Sequence, residues 1–321
     1  MLFETAGIEV APWIPPLVAF VISFFTSMGG VSGAFLLLPF QMSFLGYTSP
    51  SVSATNQLFN IVAIPSGVYR YWKEGRMVWP LTWIVIAGTL PGVLIGAFVR
   101  VAYLPDPTRF KLFAAAVLLY IGGKMAGELL KKKGDSAGNR AGAEERFQEM
   151  VRRHRLAQND RASTAPALFK PVKVTHFNLK RLGYTFYDDA FDVPFWGIFT
   201  LSLVVGIIGG TYGIGGGAII APFFVTFFRL PVYTVAGAAL MGTFVTSVAG
   251  VAFYQAIAPL YPHLSVAPDW PLGVLFGLGG MAGMYLGARL QKFVPARAIK
   301  WMLAGIILFT ALKYVAAFFG L

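Results

Sequence analysis

Gly213-Ile214-Gly215-Gly216-Gly217-Ala218-Ile219-Ile220-Ala221-Pro222 is the second writing of a pattern that first runs Gly30-Val31-Ser32-Gly33-Ala34-Phe35-Leu36-Leu37-Leu38-Pro39. The copies lie 183 residues apart, and the shift carries on without a gap to Ser66-Gly67-Val68 and Ala249-Gly250-Val251. Each copy sets a glycine cluster between two apolar segments, with a proline soon after. In an apolar chain, Gly/Pro-interrupted segments at matching positions mark two repeats with a binding site between them.

The chain is apolar enough for that reading. Of its 321 residues, 56% are hydrophobic and 12% charged, against about 25% charged in soluble domains. Outside residues 131–192, windows of about 20 residues are apolar almost throughout, long enough to cross a bilayer. The fold class is an all-α polytopic membrane protein. With no cysteine, neither a disulfide framework nor a thiolate metal site is available. Residues 1–11 contain no lysine or arginine, so they lack the basic region of a cleaved signal peptide.

Ten helical segments are predicted in two sets of five. The first set covers 12–28, 34–46, 50–71, 79–103 and 108–130. The second covers 193–211, 218–230, 232–256, 270–293 and 297–318. The domains are accordingly a membrane repeat over 1–130, a polar linker over 131–192 and a second membrane repeat over 193–321. The second segment of each set is about 20 Å long, shorter than the hydrocarbon core of about 30 Å. It is therefore expected to be a short re-entrant piece with its glycine tip inside the membrane. Gly88, Gly92 and Gly96 match Gly279, Gly283 and Gly287 at a shift of 191. Glycine at every fourth residue is a smooth stripe for close helix packing.

The net charge of +12 is a matter of topology rather than of nucleic acid. Half of the 26 basic residues lie between Lys131 and Arg181, and basic loops beside apolar spans face the cytoplasm. This places the linker inside, with a predicted amphipathic helix at 144–156 and an aromatic-rich piece at 177–191 lying on anionic lipid. Arg70, Lys73 and Arg76 then fall inside, and residues 255–270, which contain no lysine or arginine, outside. The loop with Arg100, Asp106, Arg109 and Lys111 falls outside and is the one poor fit. Five spans per half make the repeats inverted, with both termini outside a plasma (inner) membrane that the chain crosses many times.

Three sets of residues carry the candidate chemistry. The first is the glycine clusters, Gly30, Ser32 and Gly33 with Gly213, Gly215, Gly216 and Gly217. A helix starting inside the membrane presents unpaired N–H groups and the positive end of its dipole, and glycine lets an anion approach that backbone. A dinucleotide-binding reading fails, since no strand precedes the motif and no acidic residue follows at the required distance. The second set is Asn56, Gln57 and Asn60 beside Ser53 and Thr55, matched by Thr243, Thr246 and Ser247. Amides and hydroxyls can bind oxygen atoms without adding charge, although helix-to-helix hydrogen bonding uses the same residues. The third feature is an absence. No carboxylate lies in the middle of a span: Glu74, Asp106 and Asp269 are in loops and Glu128 is at a helix end. Carboxylates are the usual carriers of protons and metal ions through membranes. The basic residues nearest the membrane interior are Lys124, Lys313 and Arg229. The first two can snorkel to the interface, and Arg229 is a candidate gate.

These residues resemble the sulfite exporter TauE/SafE family of membrane transporters. The resemblance rests on Gly-x-Gly-Gly-Gly with a proline five residues on (Gly213 to Pro222), and on the small-residue and Thr/Ser segment 235–250. It rests equally on the same order in the first half, where segment 52–71 leads into Gly75 and Trp79-Pro80. It implies export or uptake of small sulfur-containing anions such as sulfite, sulfonates and sulfoacetate. Val31-Ser32-Gly33-Ala34 departs from the all-glycine pattern and implies a lopsided site.

The expected function is a secondary transporter of a small sulfur-containing oxyanion, working by alternating access and in the direction of export. An anion channel on the same scaffold is the alternative. The expected partners are that substrate and membrane lipid, with no nucleic acid and no cofactor. No metal-ligand cluster and no nucleophile–base pair lies within the spans, so no enzyme activity is expected.

Overall fold

Helices satisfy their own backbone, which is why an apolar chain in lipid is built from them. The computed structural model describes residues 1–29, 32–73, 77–130, 172–186, 189–230, 232–290 and 296–319. A two-residue hairpin, β1 (Leu2–Phe3) and β2 (Ile8–Glu9), comes first. The first half continues as α1 (Ile14–Gly29), α2 (Ala34–Ser43), α3 (Ser51–Ala63), α4 (Pro65–Lys73), α5 (Trp79–Ala102) and α6 (Pro107–Leu130). Strands β3 (Lys173–Phe177), β4 (Arg181–Phe186) and β5 (Asp189–Pro194) follow. The second half is α7 (Phe195–Tyr212), α8 (Ile220–Phe227), α9 (Val232–Ile257), a single 3-10 turn, α10 (Trp270–Leu290) and α11 (Ala296–Phe319).

Local chemistry sets the ends of these helices. Proline stands in the first turn of α1, α4, α5, α6 and α10, where its missing N–H costs nothing. Asp106 and Asp269 cap α6 and α10, accepting from the N–H groups of Arg109 (2.8 Å) and Leu272 (3.0 Å). Each carboxylate thereby satisfies an orphan donor of the first turn.

Among the described residues, α5, α6, α7, α9, α10 and α11 are long and apolar enough to cross a membrane. The chain is a polytopic helical membrane protein. All ten expected segments are helical, but the third is split: Pro65 cannot donate to the preceding turn, and α3 gives way to α4 after Ile64. The short segments have 10 residues in α2 and 8 in α8, or roughly 15 and 12 Å.

The glycine stripes are packing surfaces, and each half packs on the other. Gly88, Gly92 and Gly96 of α5 lie against the carbonyls of Phe199, Leu203 and Ile207 on α7. Gly279, Gly283 and Gly287 of α10 lie against those of Pro16, Phe20 and Phe24 on α1. The stripes differ by 191 residues and the carbonyls they meet by 183, the two shifts seen in the sequence. A Cβ on Gly92 would sit 2.5 Å from the Leu203 oxygen, so only glycine allows this approach.

Large apolar side chains cover the outside, and within an apolar core the protein buries a set of polar ones. Leu17, Phe98, Val204, Phe309 and Leu312 are exposed, whereas Ser53, Asn56, Gln57, Asn60, Thr246 and Ser247 are fully buried.

The aromatic-rich piece at 177–191 has a structure that the sequence reading did not specify. Its described residues belong to a three-stranded antiparallel sheet, ordered β3-β4-β5. Alternation in Leu182, Tyr184 and Phe186 buries one face of β4. The Tyr184 hydroxyl meets Thr234 Oγ1 at 2.9 Å, tying the sheet to the start of α9. The linker helix expected at 144–156 lies outside the described residues.

Candidate functional site

The second glycine cluster forms a tight loop because two of its residues are left-handed. Gly213 has φ 87 and Gly215 φ 78, a conformation that glycine takes without steric cost. The N–H groups of Gly213 and Ile214 both return to the Gly209 carbonyl at 2.9 Å and close α7. The loop is wedged among three helices. A Cβ on Gly213 would lie 2.5 Å from Ser53 Cα on α3, and one on Gly215 would lie 2.8 Å from Ser247 Oγ on α9. Thr89 of α5 presses on Gly216.

The first cluster is built differently. Gly33 caps α2 in helical backbone, φ −59 and ψ −28, and faces Ser23 Oγ, 2.8 Å from where its Cβ would be. Ser32, the counterpart of Gly215, is not left-handed, and its hydroxyl accepts from the Ala34 N–H at 3.3 Å. The loops are therefore unequal in backbone as well as in sequence. Gly30 lies outside the described residues.

The α3 amides bring the two loops together. Asn56 Nδ2 donates to the carbonyls of Ala34 (3.2 Å) and Gly213 (3.0 Å), one in each half. Its oxygen accepts from Gln41 Nε2 at 3.3 Å. Asn60 Nδ2 donates to the Ile214 carbonyl at 2.9 Å. Tyr212 reaches back from its hydroxyl to the Phe35 carbonyl at 3.0 Å.

On α9, Thr246 Oγ1 accepts from the Gly216 N–H at 3.0 Å and donates to the Gly242 carbonyl at 2.6 Å. Thr243 donates to the Ala239 carbonyl at 2.8 Å. Around this framework several buried side-chain atoms have no partner: Asn60 Oδ1, Ser247 Oγ, both polar atoms of Gln57, Gln41 Oε1 and Ser23 Oγ. A buried polar atom without a hydrogen bond costs about 1–3 kcal/mol, a cost that an entering polar ligand would relieve.

The structure thus brings Asn56, Asn60, Thr243, Thr246 and Ser247 around the 213–217 loop, with Ser32 and Gly33 at the matching loop. Gln57 packs against Gly250 of α9, one helical turn beyond Thr246 and Ser247. Arg229 does not join them. It is exposed, in left-handed backbone with φ 55, in the turn after α8. Sequence reasoning passed over Ser23 and Gln41. Their signal was a polar side chain near the end of an otherwise apolar helix, Ser23 with Thr26 and Ser27 in α1 and Gln41 with Ser43 in α2.

Arg100 is the larger correction. The sequence reading put it in an aqueous loop, but it ends α5 with no exposed surface. Its guanidinium donates to Ser53 Oγ (3.3 Å), to the Thr48 carbonyl (3.2 Å) and to the Leu104 carbonyl, and stacks 3.7 Å from the Phe110 ring centre. Lys313 is exposed. Lys124 is half-buried, with its ammonium 5.4 Å from the centre of the Phe223 ring.

Comparison with known proteins adds three findings. The family model described as Sulfite exporter TauE/SafE matches residues 16–314. Over 123 residues the chain is 26% identical to the Probable membrane transporter protein YdhB of Bacillus subtilis (strain 168). That match covers 38% of this chain and 46% of the relative, so the chain spans about half the length of the protein it resembles. No solved structure matches.

Proposed function

Since the chain belongs to the sulfite exporter TauE/SafE family of membrane transporters, we propose that it moves a small sulfur-containing oxyanion, such as sulfite, a sulfonate or sulfoacetate, across the membrane. The anion binds between the two glycine loops. Ser247 Oγ, Gln57 Nε2 and the second amide N–H of Asn60 supply neutral donors beside Thr243, and the loop backbone supplies N–H groups. One observation carries this reading: buried donors without partners, Ser247 Oγ and Gln57 Nε2, lie on the helices that enclose the loop which Asn56 ties to the first half.

Transport proceeds by alternating access, with one half rocking against the other across the glycine-stripe contacts. The two-way exchange of stripe and first helix supports two matching repeats, and the five segments of each make them inverted, with domain limits at 1–130, 131–192 and 193–321. The linker is cytoplasmic, both termini are outside, and the membrane is the plasma (inner) membrane. Removing Arg100 from the count of aqueous charges eases the one misfit in the charge pattern of the loops. Export is the favoured direction. With a negative interior, expelling one negative charge gains about 2.3 kcal/mol per 100 mV, so an exporter needs no coupling ion.

The test is flux in proteoliposomes. Wild-type protein is expected to carry sulfite or a sulfonate saturably and with counterflow, and Asn60→Ala combined with Thr243→Ala is expected to abolish this. Undiminished flux in the double variant removes the site from these residues. Flux linear in concentration and without counterflow makes the protein a channel.

A further inference from the structure

Among the described residues, Arg100 is the one fully buried cation. A guanidinium cannot be deprotonated in a protein, and an ion pair is the usual way to bury one. Here the acceptors are neutral: a serine hydroxyl and two backbone carbonyls. These bonds use three of the five N–H donors of an arginine. The other buried charge, Asp269, is occupied elsewhere, its oxygens accepting from the backbone of Ala6 (3.1 Å) and Leu272 (3.0 Å). Ala97 and Val101, on the same helix as Arg100, pack with Ala54, Tyr254 and Val266 into an apolar cluster. A positive charge is thus held among neutral groups, where its field is little screened.

That charge stands one side chain away from the glycine loop. Ser53, which accepts from Arg100, lies 3.4 Å from the carbonyl oxygens of both Thr211 and Tyr212. The charge lies toward the face with the N-terminal hairpin. Ser265 donates to the Thr5 carbonyl at 2.6 Å and to Ser51 Oγ at 3.0 Å, two residues before Ser53. The burial is not repeated: the last turn of α10 carries Arg289, which is exposed and stacks 4.3 Å from the Tyr285 ring centre.

We propose that Arg100 is an anion-binding residue on the transport path, receiving the substrate between the glycine loops and the face that carries the N-terminal hairpin. This rests on the transport reading above and deepens it. The ligand class is a small oxyanion with two oxygens in reach of the guanidinium fork, the geometry of sulfite or a sulfonate group. Arg100 is sealed in this conformation, so the pairing belongs to a state in which the residues around Ser53 and Ser265 have parted. Because Arg289 at the end of α10 is exposed while Arg100 is buried, the two ends of the path are electrostatically unequal.

The experiment uses the full chain with sulfite as probe. It reads half-saturating flux in proteoliposomes and, independently of transport, the rise in melting temperature that sulfite causes in detergent. Arg100→Gln is expected to raise the half-saturating concentration about 30-fold or more and to remove the sulfite-dependent stabilisation. Arg100→Lys, which keeps the charge, is expected to stay within about 10-fold of wild type. Ser53→Asp leaves the arginine in place and gives it a carboxylate partner. It is expected to lose sulfite affinity, and its melting transition, read alongside, certifies that it folds, so the test does not rest on the Gln variant alone. Wild-type saturation in a folded Arg100→Gln or Ser53→Asp protein overturns the proposal while leaving the transport reading intact. A wild type with no anion flux defeats the transport reading, and the melting response still decides whether Arg100 binds the anion.

Discussion

Asn60 is divided against itself. Its side-chain nitrogen donates to the Ile214 carbonyl at 2.9 Å, while its oxygen, equally buried, accepts from nothing. One N–H fixes the orientation of the amide against the glycine loop, and the second N–H is the group able to meet an anion, since an amide oxygen only accepts. Asn60→Asp replaces the donor by a second acceptor, which repels the Ile214 carbonyl and any anion alike. Flux of sulfite in this variant is expected to fall by about 100-fold or more and below that of Asn60→Ala. An Asp variant as active as wild type would show that no anion passes this residue.

The two glycine stripes offer a paired test of packing. Gly92→Ala and Gly283→Ala each drive a methyl into a carbonyl of the opposing helix, that of Leu203 or Phe20. Each is expected to destabilise by about 1–3 kcal/mol, read as a lower melting temperature in detergent. Gly305→Ala is the control, since nothing lies within 4 Å of its added Cβ, and helix propensity makes it neutral or stabilising by about 0.5–1 kcal/mol. Equal effects at all three positions would contradict the close contact.

The inequality of the two loops predicts unequal substitutions. Gly215→Ser forces a left-handed residue with φ 78 and crowds Ser247 Oγ, and is expected to cost about 1–2 kcal/mol and to reduce flux strongly. Ser32→Gly, the reverse change in the first loop, meets no left-handed backbone and is expected to retain flux within about threefold, with the loss of one cap bond to Ala34. Matching losses in both variants would mean that the loops work symmetrically.

The sheet should report itself at alkaline pH. Burial pushes the Tyr184 phenol above its ordinary value, and the hydrogen bond to Thr234 opposes this only in part. The unfolded chain therefore releases that proton first, near pH 10, and the contribution to stability, intact below that value, declines as pH rises through the folded value. Tyr184→Phe is expected to cost about 0.5–1.5 kcal/mol at neutral pH and to lose less stability than wild type above pH 10. An identical alkaline decline in both proteins would place the phenol outside the buried contact.

Local pattern made the membrane class, the ten helical segments, the glycine loops and the packing stripes readable from the sequence. Each is written in hydrophobic runs, in spacing by fours or in the one residue that accepts left-handed backbone, and the matching shifts told which parts correspond. The strands were written too, in the alternation of Leu182, Tyr184 and Phe186, but a basic stretch beside apolar spans invites a topological reading and hid them.

What the tertiary structure decided is which polar atoms are satisfied and which charges are buried. Asn56 binds a carbonyl 157 residues away, and no local pattern can announce such a partner. Arg100 reads as a loop charge because it stands at the end of an apolar helix. Only the arrival of Thr48, Ser53, Leu104 and Phe110 around it makes it an interior cation. Burial of a charge depends on desolvation by the whole surrounding fold, whereas helix formation depends on neighbours three and four residues away. The sequence therefore determined the scaffold and its doubling, and the folded structure alone decided where the positive charge lies within it.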